Sequence, residues 1–334
     1  MVASVSFTRV WLLRLVLPFR FGRLVTGILL LVILAPLFYL GVEEGNPDNT
    51  PALFFSAVIA YMIPVISYIS TRSAEALMEL RPVLDLEEEE FKQALLRMDS
   101  FPRRAAAGYL VCGFLAGMAH MSLLSGSVEA MFEELVSNRT ALVSTLGAVS
   151  VWVVNTAAIS LLIQQAVVFS RLGGSAAQIS LLHVGRLVPF ARVAIAGSLA
   201  LIGALAMFPL MSVNSEVTLT QILPGAIASS VALLVLFTVP VWPIHRRIAE
   251  LKKRELASLD HRIDQCLDGG DGTNLSLEQL QVLNPLVGYR REISRVSTWP
   301  FDAGSMTRLC LYLVVVPLTW AGAALIENLV DSVL

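Results

Sequence analysis

Apolar residues fill seven long stretches of this chain, at 24–42, 52–71, 105–125, 143–170, 193–213, 222–244 and 309–326, and none of the seven contains an Asp, Glu, Lys or Arg. A helix of about 20 apolar residues spans the roughly 30 Å hydrocarbon core of a bilayer. The pattern therefore predicts an all-α polytopic membrane protein with about seven transmembrane helices.

Between the apolar stretches the pattern changes twice to that of water-exposed helices. In 72–104 the second span is expected to continue to Leu80, break at Pro82 and restart at Asp85, with Glu88 three residues on as in a capping box. The acidic run Glu87 to Glu90 falls in that helix's first turn, where the helix dipole and solvent favour carboxylates, and reads as a solvated face. In 245–302 two helical stripes follow each other. Ile248, Leu251, Leu256, Leu259, Ile263 and Leu267 form the first, and Val282, Leu286, Tyr289, Ile293 and Val296 the second. The glycine-rich "DGGDGTN" joins them, so the pattern predicts an antiparallel helical hairpin.

Composition agrees with a membrane location: 56% of the 334 residues are hydrophobic and only 15% charged, with a mean hydropathy of +0.72. Charge sets the orientation, because Lys and Arg are retained on the cytoplasmic side. With the loops alternating from an inside N-terminus, all 24 Lys and Arg except Arg139 fall on one side. The other side carries Glu43, Glu44, Asp48, Glu129, Glu133, Glu134, Glu216, Glu327 and Asp331. The expected location is the plasma membrane, as in the inner membrane of a bacterium, with the N-terminus cytoplasmic, the C-terminus outside and the hairpin in the cytoplasm.

The apolar run from Leu24 ends without a small-x-small cleavage pattern and reads as a retained anchor helix. Before it, residues 1–23 mix Trp11, Leu12, Leu15 and Phe19 with Arg9, Arg14, Arg20 and Arg23, the composition of a basic amphipathic segment lying on an anionic inner leaflet. The remaining units are the membrane pairs and bundle at 24–71 and 105–244, the acidic loop 72–104, the hairpin 245–302, and the last span at 303–334.

Motifs for soluble-type chemistry are missing: the sequence has no Walker loop, no Rossmann glycine fingerprint and no His-Glu-x-x-His. "LLSGS", Leu123 to Ser127, lacks the glycine of a nucleophile elbow and reads as a helix end. Asp268, Asp271 and Gly272 fail the spacing of a calcium loop. Cys112, Cys266 and Cys310 lie far apart and give neither a disulfide framework nor a metal site. No catalytic residue, metal or cofactor is expected, and no nucleic acid partner.

Polar residues at membrane depth are the remaining candidates. His120 is the one titratable group in the spans other than tyrosine and cysteine, and hydrogen bonding to a neighbouring helix competes with a proton or metal role for it. In the fourth span Thr145, Trp152, Thr156, Ser160 and Gln164 recur on one slowly drifting helix face, with Asn155 and Gln165 off it. Such a stripe lines a water path or hydrogen-bonds helices together. Gly113 and Gly117 form a GxxxG pair suited to close helix contact. Where the hairpin meets the last span, Trp299, Pro300, Phe301 and Asp302 suit a rigid juxtamembrane corner: interfacial aromatics, a helix-ending proline and a cap.

Two functions fit these features. One is an oligomeric passive channel or facilitator for ions or small solutes, gated or assembled through the hairpin, since uncharged spans favour passive conduction over coupled transport. The other is a membrane scaffold or sensor that presents 246–298 to a cytoplasmic protein partner.

Overall fold

A computed structural model describes residues 7–41, 50–211, 219–268 and 277–301, together with Gly304, Thr307 and Leu311. It is nearly all helical. Two three-residue strands, β1 (Phe7–Arg9) and β2 (Ser100–Pro102), pair antiparallel with Thr8 opposite Phe101. The helices are α1 (Trp11–Arg14), α2 (Gly22–Tyr39), α3 (Thr50–Leu80), α4 (Glu88–Leu96), α5 (Arg103–Leu124), α6 (Val128–Ser137), α7 (Arg139–Arg171), α8 (Val188–Leu205), α9 (Leu219–Thr238), α10 (Trp242–Asp268) and α11 (Leu277–Arg295).

Among the described residues six helical segments are long and apolar enough to cross a membrane: Gly22–Tyr39, Ala52–Val83, Arg103–Leu124, Arg139–Ser175, Leu181–Leu205 and Leu223–Leu267. They are compatible with a multi-pass integral membrane protein. The seventh apolar stretch, 309–326, lies outside the described residues apart from Leu311, as do Cys310, the "DGGDGTN" turn beyond Asp268 and the last acidic residues.

The bundle is built around α3, α7 and α8. More than half of the apolar window of α3 and of α8 is buried, at 61% and 67%, whereas α2 and α5 bury 17% and 11% and form the outer layer. Gly113 and Gly117 explain how α5 approaches α7 so closely. A Cβ on either would lie 2.7 Å from the backbone Cα of Val153 or Val149 respectively, closer than any real side chain packs. At the far end of α5, Gly126 adopts φ +81°, a conformation that L side chains rarely take, and turns the chain into α6. Ser125 donates to Glu134 and Ser127 caps the Ala130 amide, so the serines of "LLSGS" serve as helix ends.

Basic residues gather at one end of the bundle. Arg23 donates to Ser67 and Thr71, Arg192 pairs with Glu79, and Arg247 donates to the Gly173 carbonyl. We call this the basic end. The opposite, acidic end carries Glu129, Glu133 and Glu134 on α6, with Arg139 donating to the Leu40 carbonyl.

Two local features depart from the pattern-based expectation. The helix expected to restart at Asp85 starts instead at Glu88, with Glu87 as its N-cap and no side-chain cap. The reason is tertiary: Leu84 forms a β-bridge with Ala177, and the Gln178 amide donates to the Val83 carbonyl, which holds the chain extended past Asp85. The N-terminal segment is also tied to the protein. β1 pairs with β2, the Val10 amide donates to the Asp99 carbonyl, and Leu12 and Leu13 are buried in the bundle core with Phe101 and Ile66. Phe19 and Phe21, by contrast, stay exposed.

Candidate functional site

The polar residues of α7 divide by depth. Toward the basic end, Gln164 donates to the carbonyls of Arg97 (2.6 Å) and Ser100 (2.9 Å), in the link between α4 and α5. Its neighbour Gln165 is 1% exposed and completely engaged. Its amide nitrogen donates to Ser70 (3.0 Å) and to the Met98 carbonyl (2.6 Å), and its oxygen accepts from Ser73 (2.9 Å). Successive residues on a helix point about 100° apart, so this pair reaches the link and α3 at once. Leu161, Leu162 and Phe169 fill the space around them and are buried.

Toward the acidic end the same helix lines a partly open cavity of about 230 Å³ between α3, α5, α7, α8 and α9. Its polar lining is His120 of α5, Ser144, Trp152, Asn155 and Thr156 of α7 and Ser229 of α9; Phe54, Phe55 and Phe208 contribute aromatic surface. Trp152 donates its indole N–H to His120 Nδ1 at 3.0 Å, with the rings edge to face at 5.8 Å. An indole nitrogen can only donate, so His120 Nδ1 is the acceptor. The Asn155 side-chain oxygen is buried and has no hydrogen-bond partner among the described residues.

Of the five stripe residues, the structure brings Trp152 and Thr156 together at the cavity and sends Gln164 to the basic-end link. Thr145 is buried outside the cavity lining, and Ser160 is half-buried between the two regions. Asn155, which the stripe leaves out, is a cavity residue, because the drift of a 100° step widens the exposed face to include i+3 as well as i+4 from Trp152.

The corner between α11 and the last apolar stretch is an aromatic column. Trp299 stacks on the His245 ring at 3.8 Å and 16°, and Phe301 stacks on Trp299 at 5.8 Å and on Phe237 of α9 at 5.5 Å and 5°. His245 Nδ1 lies 3.0 Å from the Thr298 carbonyl and donates to it, Trp242 flanks the column, and Pro300 is buried. His245 and Phe237 were not marked by the sequence pattern. The spacing of His245 three residues after Trp242 was the available signal, since i and i+3 share a helix face. Asp302 lies outside the described residues.

Beyond the corner, α10 and α11 run past each other in opposite directions. Lys252 donates to the carbonyls of Ser294 (2.7 Å) and Val296 (2.8 Å), and Asp260 pairs with Arg290 farther out. Ile248 and Ile293 are buried near the bundle, and Leu259 is buried beside Asp260 farther along α10. Farther out, Leu267, Leu277, Leu280, Val282 and Val287 are all at least 40% exposed. Among the described residues no group of three or more His, Cys, Asp or Glu is placed to hold a metal ion. No protein-family model, curated protein or solved structure matches this chain.

Proposed function

We propose that the chain is a seven-span membrane scaffold or sensor whose α10–α11 arm forms a cytoplasmic hairpin and engages a soluble protein partner. The observation that carries this reading is the contrast along the arm. Its base is packed and buried, while its far half leaves Leu267, Leu280, Val282 and Val287 uncovered. Clustered exposed apolar side chains rimmed by charge mark interaction surfaces. The gathering of arginines at the end from which the arm departs supports a cytoplasmic location for it. At about 1.5 Å per residue, the 27 residues of α10 reach about 40 Å. The engagement of Gln164 and Gln165 in interhelical bonds also favours a packed bundle over a water path.

A photo-crosslinker at Leu280 or Val287 should capture one soluble protein in cells, and changing Leu267, Leu280 and Val282 to Glu should abolish the adduct. No protein adduct, or an adduct with only a second copy of this chain, would overturn the reading. Trp299→Ala should broaden the distance distribution between spin labels on α10 and α7, since it removes the centre of the aromatic column. An unchanged distribution would show that the column does not fix the arm.

Passive conduction, through an oligomer, is the second reading, favoured by the cavity along α7. Solute flux into liposomes that falls when Thr156, Ser160 and Gln164 become Leu would establish it, and no flux across a panel of ions and small solutes would remove it.

A further inference from the structure

We propose that a groove at the basic end, between the N-terminal segment, α3 and α4, binds the headgroup of an anionic phospholipid from the surrounding leaflet. Its volume is about 610 Å³, within the roughly 300–1,000 Å³ of ligand pockets. Its polar lining is Arg9, Ser67, Ser70, Thr71, Lys92 and Asp99, and Leu13, Met78, Leu95 and Leu96 supply apolar surface beside them. The uncharged run of α3 ends at Thr71, with Arg72 next. Ser67 and Thr71 therefore stand where the helix leaves the hydrocarbon for the headgroup layer, about 5–8 Å deep. Cations beside apolar surface at that depth suit a lipid, with its phosphate on the charges and its glycerol backbone and first methylenes on carbon.

The cations are accessible. The Arg9 and Lys92 side chains are 57% and 60% exposed, and their acidic neighbours, Asp99 at 3.6 Å and Glu88 at 3.9 Å, stand beyond hydrogen-bond reach. Arg23 adds charge beside the lining: it donates to the Ser67 and Thr71 hydroxyls at 3.4 and 2.6 Å, and no carboxylate pairs with it among the described residues. Two cations and the Asp99 carboxylate leave the lining one positive charge in excess, which matches the single negative charge of a phosphodiester. A choline headgroup carries the same phosphate but brings a quaternary ammonium toward Arg9 and Lys92, and like charges oppose it. A soluble phosphate would meet the cations but leave the apolar half of the groove uncovered, so a lipid is the better fit. The assignment rests on α3 crossing a bilayer and not on the arm having a partner, so either can fail without the other.

The test uses the full chain in phosphatidylcholine nanodiscs doped with increasing phosphatidylglycerol, and native mass spectrometry to count the lipids that stay on the chain. Phosphatidylglycerol should be retained saturably, as a single molecule per chain, in preference to phosphatidylcholine. Arg9→Gln with Lys92→Gln should weaken retention about thirtyfold, the usual worth of two basic residues facing an anionic headgroup. Arg171→Gln with Arg186→Gln removes as much charge from exposed positions outside the groove and should change retention less than about threefold, since exposed charges away from the site are screened. Ala74→Phe fills the groove while keeping every charge and should remove retention, which supplies an independent variant. Soluble glycerophosphate in excess should not displace the lipid. Equal retention of the two lipids, equal weakening by the two paired substitutions, retention unaffected by Ala74→Phe, or displacement by glycerophosphate would each overturn the assignment.

Discussion

The two ends of α7 show one helix using the same kinds of side chain for different purposes. At the basic end its amides are consumed: Gln165 alone ties Ser70, Ser73 and the Met98 carbonyl into one network. At the acidic end, ten residues earlier, Asn155 lines a cavity with its oxygen unsatisfied among the described residues. Polar side chains in a membrane helix are commonly counted together as glue or as pathway. Here position along the helix decides, because an amide holds helices together only where a neighbouring chain end or hydroxyl comes within reach. The link between α4 and α5 supplies those groups at the basic end.

The comparison can be broken most severely at the shared wall. Replacing Gly113 and Gly117 together by Leu should push α5 off Val149 and Val153 and open the acidic-end cavity, at a cost of about 2–6 kcal/mol for two overpacked sites. Unfolding in increasing dodecyl sulfate measures this; a double variant as stable as the parent would mean that α5 does not rest on α7. A smaller loss, about 1 kcal/mol, is expected for Gln164→Leu, which strips the donor from two carbonyls, each such bond in a membrane bundle being worth about 0.6 kcal/mol. The smallest effect belongs to Thr156→Val, a change of shape-matched groups at a cavity wall, expected within about 0.5 kcal/mol of the parent. A clear loss for that variant would place Thr156 in a bonded network instead.

Much of the fold was legible from patterning, because membrane depth leaves few ways to arrange apolar helices. The stretches at 24–42, 52–71 and 105–125 correspond closely to α2, the apolar part of α3, and α5, and the Gly113–Gly117 pair does lie where two helices touch. What the pattern did not reveal depended on tertiary partners. Asp85 has the residue type and spacing of a cap, yet the Leu84–Ala177 bridge holds it outside the helix. Leu12 and Leu13 have the composition of a surface anchor, yet β1 finds β2 and draws them into the core.

At the site the same limit applies. Helical spacing placed Trp152 and Thr156 on one face but set Asn155 and Gln165 aside, although the first lines the cavity and the second is the most heavily bonded polar residue of α7. Only the positions of α3, α5 and the α4–α5 link separate those outcomes. The corner is similar: Trp299 and Phe301 stand out in sequence, whereas His245 matters because folding stacks it against Trp299 from 54 residues away.

The most direct measurement of the division along α7 is the stability of two single amide replacements in the same dodecyl sulfate unfolding experiment. Gln165→Leu leaves three polar groups without their partner and should destabilise the protein by about 2 kcal/mol. Asn155→Leu removes an acceptor that has no partner among the described residues and should stabilise it by about 1 kcal/mol, as relief of an unsatisfied buried group does. Opposite signs would confirm a bonded basic end and an unsatisfied acidic end; losses of equal size at both positions would contradict it.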